Sequence, residues 1–160
     1  MKIFGVVVLY NPQKDMLGNT IYLSQFVEKL YLVDNSESGE QREVLSLLPP
    51  HVEYIPFGEN KGVAYALNFG AQKAFSKGAI WLLTMDQDSA FVENGLPVLV
   101  DFAQSCDSKR VGIVSPVHWV SGVCPLPREE SVEVLTTMTS GNLVSLRAWQ
   151  EVGGWREDFF

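Results

Sequence analysis

Residues 62–89 read GVAYALNFGAQKAFSKGAIWLLTMDQDS, and this stretch decides the fold. From Gly62 to about Ser76 it is rich in alanine and reads as a helix, closed by Lys77-Gly78 in the manner of a C-terminal cap. The apolar run AIWLLTM at 79–85 then reads as a buried strand that ends on Asp86-Gln87-Asp88. A helix feeding directly into a buried strand is the repeating unit of an α/β sheet, and the rest of the chain repeats it.

Upstream, IFGVVVLY at 3–10 is rich in β-branched residues and almost continuously apolar, as expected of a strand covered on both faces. A helix follows, with Leu17, Ile21, Phe26 and Leu30 as its expected buried stripe. LYLVDNS at 30–36 is the second strand with its polar exit. EQREVLSLL at 40–48 is a short helix stopped by Pro49-Pro50, and VEYIPF at 52–57 is the third strand.

Downstream, residues 93–105 read as a helix and RVGIVSPVHWV at 110–120 as a strand. PVHWVSGVCPLPREE at 116–130 is rich in Pro and Gly and reads as a long loop of the kind that often carries function. SVEVLTTMTSG at 131–141 has strand-like alternation. SLRAWQEVGG at 145–154 reads as a short helix with Ser145 at its N-cap and Gly153-Gly154 at its end. Strands alternating with helices predict a Rossmann-like, mainly parallel α/β sheet flanked by helices.

The bulk numbers agree with one folded domain. The chain has 160 residues, 46% hydrophobic and 19% charged, which argues against disorder and coiled coil. A formal charge of -7 argues against a sequence-independent nucleic-acid binder, which needs clustered Lys and Arg against phosphate. MKIFGVVVLYNP has too short an apolar stretch for a signal peptide, and no later run is long enough to span a bilayer. Cys106 and Cys124 lack metal-ligand spacing, which fits a reducing cytoplasm and small packed or surface thiols.

In parallel α/β sheets, ligands bind beyond the carboxyl ends of the strands. Those exits here are Tyr10-Asn11-Pro12, Asp34-Asn35-Ser36, Gly58-Glu59-Asn60-Lys61-Gly62 and Asp86-Gln87-Asp88. Alone, Asp86 and Asp88 read either as a turn or as a divalent-cation site, because close carboxylates repel unless solvated or sharing a cation. Four polar exits at one edge favour the site.

The ordered motifs V-V-V-x-Y-N-P, V-D-N-S, E-N-K-G-V-A-Y-A-L-N-x-G, D-Q-D-S and G-G-W-R-E-D-F-F resemble the family 2 glycosyltransferases with the GT-A fold, most of all bacterial rhamnosyltransferases. The resemblance covers almost the whole chain. It implies an inverting transfer of a sugar from a nucleotide diphosphate to an acceptor hydroxyl. It further implies that Tyr10, with Asn11 beside it, lies against the pyrimidine and that Asp34 accepts the base's imide N–H. Asn60, Gly62 and Asn68 match the family's N-x-G-x-x-x-x-x-N pattern. Gly62 allows close backbone approach, and the helix after it can face phosphate. Lys61 reads either as a partner of the diphosphate or as a solvated surface lysine. Asp86 would contact ribose or metal, and Asp88 would hold Mg²⁺ or Mn²⁺ against the diphosphate.

The resemblance places the catalytic base in an acidic motif downstream of the final G-G-x-x-E-x-F-F, and so beyond Phe160, where the sequence stops. Glu157 and Asp158 are weak candidates, because they match the acidic positions before the phenylalanine pair. The expectation is a truncated chain in which 1–115 is the donor-binding region and 116–160 begins an acceptor-side region within one domain. Expected partners are a dTDP- or UDP-sugar and a saccharide or lipid-linked acceptor, with homo-oligomers possible. The expected setting is the cytoplasm, peripheral to the inner membrane face in the full-length protein. Competing readings are a UDP-hexose-dependent transferase, a non-catalytic nucleotide-sugar binding module and a structural α/β interaction domain.

Overall fold

The computed structural model of the protein describes residues 1–13, 17–37, 47–118 and 131–158. In chain order its elements are β1 (Ile3–Leu9), α1 (Leu17–Ser24), β2 (Lys29–Asp34), β3 (Val52–Pro56), α2 (Val63–Ser76), β4 (Trp81–Asp86), α3 (Gly95–Ser105), β5 (Ile113–Val114), β6 (Asn142–Ser145) and α4 (Leu146–Val152). The strands form one sheet in the order β3-β2-β1-β4-β6-β5. Its first four strands are parallel, while β6 runs antiparallel to β4 and β5 antiparallel to β6. The mainly parallel α/β architecture expected from the sequence is therefore present.

Strand alternation divides the core into two layers. Ile3, Val7, Leu32, Trp81, Leu83 and Met85 point to one face, where they meet Leu23, Leu96, Leu99 and Ala103 from α1 and α3. Phe4, Val6, Val8, Tyr31, Val33 and Leu82 point to the other, where α2 and α4 supply Ala66, Leu67, Ala71, Ala74 and Leu146. Because both faces are covered, the central strands have no polar side to alternate with. Gly70 sets the spacing of the second layer: a Cβ there would stand 2.9 Å from the Cβ of Val6, so only glycine lets α2 lie this close to β1.

Several expectations are corrected. Helix α1 stops at Ser24, whose hydroxyl donates to the Ile21 carbonyl at 2.8 Å. Among its described side chains Thr20, Leu23 and Ser24 are buried, whereas Ile21 is exposed, Phe26 lies in the turn that follows, and Leu30 belongs to β2; the Leu17 side chain lies outside the described ones. The strand expected over 110–120 is reduced to Ile113–Val114, and 131–141 contains no strand. The sixth strand is instead Asn142–Ser145, buried at all four positions. The fourth strand is displaced to 81–86. The helix expected at 40–48 and the loop expected at 116–130 fall mostly on residues outside the described ones, as do Cys124 and the final pair Phe159 and Phe160. Cys106 is a free thiol. Ser145 does cap the last helix, its hydroxyl accepting from the Ala148 N–H, and Gly153 closes it with φ 86°. No helix among the described residues is long and apolar enough to cross a membrane.

Candidate functional site

The sheet register places the parallel strand ends almost level. Leu9 stands beside Asp34, Asp34 beside Pro56, and Val8 beside Asp86. The four polar exits therefore meet along one edge, where hydrogen bonds between them fix their positions. The Tyr10 N–H donates to Gln87 Oε1 at 2.8 Å, and Gln87 Nε2 donates back to the Tyr10 carbonyl at 2.9 Å. The Asn11 N–H donates to Ser36 Oγ at 2.7 Å, with Asn11 held at φ 46°. Asn35 bridges to the third exit: its Nδ2 donates to the Gly62 carbonyl at 3.2 Å and its Oδ1 accepts the Lys61 N–H at 3.3 Å.

Tyr10 keeps 45% of its surface exposed at this edge, consistent with a ring available for stacking. Asp34 is 1% exposed. Its Oδ1 accepts from the Ser36 N–H at 2.9 Å and the Ser36 hydroxyl at 2.5 Å, and its Oδ2 accepts from the Tyr54 hydroxyl at 2.5 Å. Burial, and then the carboxylate beside it, push the Tyr54 hydroxyl well above the ordinary phenol range. A carboxylate has about four acceptor positions, so Asp34 has about one left.

The loop before α2 is built by its own side chains. Asn60 Oδ1 accepts the Gly62 N–H at 3.0 Å, and Gly62 adopts φ 84°, a region that favours glycine. Lys61 pairs with Glu59 at 3.1 Å, and its ammonium lies 5.5 Å from the Phe57 ring centre and 5.1 Å from that of Tyr65. The hydrogen bond to Glu59 holds the Lys61 ammonium above its ordinary pKa. Lys61 is thus tied to its own loop at the rim.

At the end of β4, Asp86 is half-buried, and Asp88 follows it two residues on. The Asp86 N–H donates to Ser140 Oγ at 3.0 Å, which fixes its backbone. Burial, and then repulsion from Asp88, raise the Asp86 carboxyl above its ordinary pKa. Among the described residues neither carboxylate has an ion-pair partner, and no group of three or more His, Cys, Asp or Glu converges on a metal position. Two unneutralised carboxylates two residues apart fit Mg²⁺ or Mn²⁺, provided a ligand supplies the remaining oxygens.

Asn68 is not brought to this edge cluster. Its Nδ2 donates to the Trp155 carbonyl at 2.8 Å and to Glu157 Oε1 at 2.6 Å. Its Oδ1 accepts from Trp149 Nε1 at 3.0 Å and from the Trp155 N–H at 2.9 Å. All four hydrogen-bonding positions of the amide are spent on α4 and the segment after it, an arrangement that clamps the two together. Gly154 completes that clamp: it has φ 85°, and a Cβ there would stand 2.6 Å from Asn68 Oδ1.

The two weak base candidates are also engaged. Glu157 accepts from Asn68, and Asp158 takes a two-pronged contact from Arg156 at 3.0 and 2.5 Å. The guanidinium holds the Asp158 carboxyl below its ordinary range, which makes it a poor proton acceptor. The expected position of the base, beyond Phe160, lies outside the described residues, which end at Asp158.

The residues that organise the edge, Asn35, Ser36, Tyr54, Gln87 and Ser140, carry no site role in the sequence reading. Asn35, Ser36 and Gln87 lie inside the motifs quoted above, so proximity to Asp34 and Asp86 is the available signal. Ser140 lies 54 positions from Asp86 and gives no local signal.

Comparison with known proteins gives concordant results. The family model described as Glycosyl transferase family 2 matches residues 6–123. The dTDP-rhamnosyl transferase RfbF of Shigella flexneri is 28% identical over 181 residues, covering 99% of this chain and 58% of that protein. The chain thus spans well under two thirds of this relative's length. Among solved structures, S. aureus TarS 1–349 superposes with a TM-score of 0.68 at 14% identity, covering 99% of this chain and 51% of that one. The same protein in complex with UDP gives 0.67 at 16% identity, with the same coverages. These structural likenesses establish the fold as GT-A.

Proposed function

Because the chain belongs to glycosyl transferase family 2, we propose that it forms the donor half of an inverting transferase that moves rhamnose from dTDP-rhamnose to an acceptor hydroxyl in a cell-surface polysaccharide. The observation that carries this reading is the edge itself: an exposed Tyr10 whose backbone is tied through Gln87 to the unneutralised pair Asp86 and Asp88. The choice of rhamnose is supported by the likeness to the Shigella flexneri dTDP-rhamnosyl transferase.

In this scheme Tyr10 and Asn11 flank the base, and Asp34 offers its remaining acceptor position to the imide N–H. Asn60 and Gly62 shape the loop beside the diphosphate, with Lys61 at the rim. Asp86 and Asp88 would hold Mg²⁺ or Mn²⁺, which when bound offsets the negative charge developing on the departing diphosphate. Asn68 acts from behind, by holding the segment after α4. Transfer with inversion requires the acceptor oxygen to attack the anomeric carbon opposite the bond to phosphate, while a base takes its proton. Glu157 and Asp158 are both engaged elsewhere, and the family resemblance would put the base in an acidic motif beyond Phe160. Residues 1–115 would bind the donor and 116–160 begin the acceptor side, in a protein working at the inner face of the membrane.

A UDP-hexose donor is the second reading, because uracil and thymine present the same imide edge. Calorimetry with dTDP, UDP and ADP, with and without Mn²⁺, tests the site. The expected result is Mn²⁺-dependent dTDP binding that weakens at least about tenfold in Asp88→Ala, the scale of one lost charge-assisted contact. Binding to none of the diphosphates would return the chain to a structural role.

A further inference from the structure

The two oxygens of Asp34 are held by different strands. Oδ1 accepts two hydrogen bonds, from the Ser36 N–H and the Ser36 hydroxyl. That hydroxyl in turn accepts the Asn11 N–H at 2.7 Å, so Oδ1 is locked to the exit of β1. Oδ2 accepts one hydrogen bond, from the Tyr54 hydroxyl on β3. A carboxylate oxygen takes about two hydrogen bonds, so Oδ1 is full and the position left open is on Oδ2. The oxygen available to a ligand is therefore the one that Tyr54 holds.

That hold is rigid. The register sets Tyr54 beside Leu32 and Pro56 beside Asp34, and the Tyr54 ring packs against the apolar layer beneath the carboxylate. Burial, and then the carboxylate itself, push the Tyr54 hydroxyl well above the ordinary phenol range, so it keeps the proton it donates. Among the described residues Asp34 has no ion-pair partner, which leaves its hydrogen bonds to stabilise a buried charge. Swinging the carboxylate to follow a ligand would break the Tyr54 bond and strand a buried oxygen. Asp34 thus presents its open position in one fixed direction.

We infer that Tyr54 is a positioning residue for base recognition: by holding Oδ2 of Asp34 it aims the open acceptor position at a ring N–H, and so selects thymine or uracil over cytosine. The first two bases carry that N–H, whereas the corresponding nitrogen of cytosine presents a lone pair and leaves the carboxylate unsatisfied. The inference rests on the donor-site reading in which Asp34 meets the base.

Calorimetry in Mn²⁺ with dTDP and 5-methyl-dCDP tests it, because the two differ only along the edge that holds the ring N–H. The wild-type chain should prefer dTDP by about tenfold to a hundredfold, the scale of one hydrogen bond to a charged group. Tyr54→Phe removes one oxygen from a half-buried side chain on an edge strand, so the fold should tolerate it. It should weaken dTDP, leave 5-methyl-dCDP unchanged and narrow the preference to within about threefold. Asp34→Asn should erase the preference too, and adding Tyr54→Phe to it should change neither affinity, since Tyr54 acts only through the carboxylate. A purely structural tyrosine would weaken both nucleotides alike. That result, or a preference that survives Tyr54→Phe but not Asp34→Asn, would overturn the inference and leave Asp34 as the base contact. A preference that survives Asp34→Asn would remove Asp34 from the base, and failure of dTDP to bind would overturn the donor reading; either takes the inference with it.

Discussion

Asp86 illustrates a residue kept at a cost to the fold. Burial and the nearby Asp88 raise its pKa in the folded chain above the ordinary value of 3.8. Between those two values the native state binds more protons than the unfolded one, so stability falls as pH rises through that interval. The penalty is absent below the ordinary carboxylate range and fully present at neutral pH. Asp86→Asn should therefore melt higher than the wild type at pH 7, and the gain should shrink toward zero near pH 3; melting both proteins across that range checks it. Asp86 and Asp88 are legible in the sequence because a buried strand delivers them to the ligand edge. The clamp role of Asn68 is not, since its decisive partner, Trp155, lies 87 positions away and no local pattern couples them. Asp34 is legible as a strand-end acid, but the burial imposed by Ser36 and Tyr54 exists only once β2 and β3 pair.

Among the elements, α2 and the four central strands can be read because their composition repeats over many residues. The far side of the sheet cannot. β6 has four residues, all buried, with Asn142 and Ser145 disguising it as polar sequence, whereas the alternation at 131–141 suggests a strand that does not form. α4 docks on α2 through Asn68 and through the contact of Phe75 with Trp149, whose rings lie 6.3 Å apart. Asn68→Ala should strip this contact, leaving the Trp149 and Trp155 N–H groups without their acceptor, at a cost of about 1–3 kcal/mol. Denaturant unfolding followed by tryptophan fluorescence would measure that loss. Since the role is a clamp, dTDP affinity should hold; lost affinity with unchanged stability would restore Asn68 to the donor site.

For the molecule as a whole, the decisive property is that one edge gathers segments from across the first 88 residues. A ligand bridging those exits binds the folded chain and not the unfolded one. Linkage then predicts that dTDP with Mn²⁺ at a hundred times its Kd stabilises the protein by about 2.7 kcal/mol. The increase in melting temperature should be absent with Mn²⁺ alone and greatly reduced in Asp88→Ala. The acidic charge of the chain makes the same point from another direction, since recognition of an anion here depends on a local site and not on the overall field.

The paired hydrogen bonds between Gln87 and the Tyr10 backbone have one more implication. They extend the β1 and β4 ladder by a rung in which a side-chain amide replaces a peptide. Gln87 thereby works as a splint: it pins the middle of the Asp86–Asp88 segment to its neighbour strand. If Asp86 and Asp88 hold a cation as proposed, the residue between them is a tuning position, where Gln87→Asn should weaken Mn²⁺-dependent dTDP binding without altering a single charge.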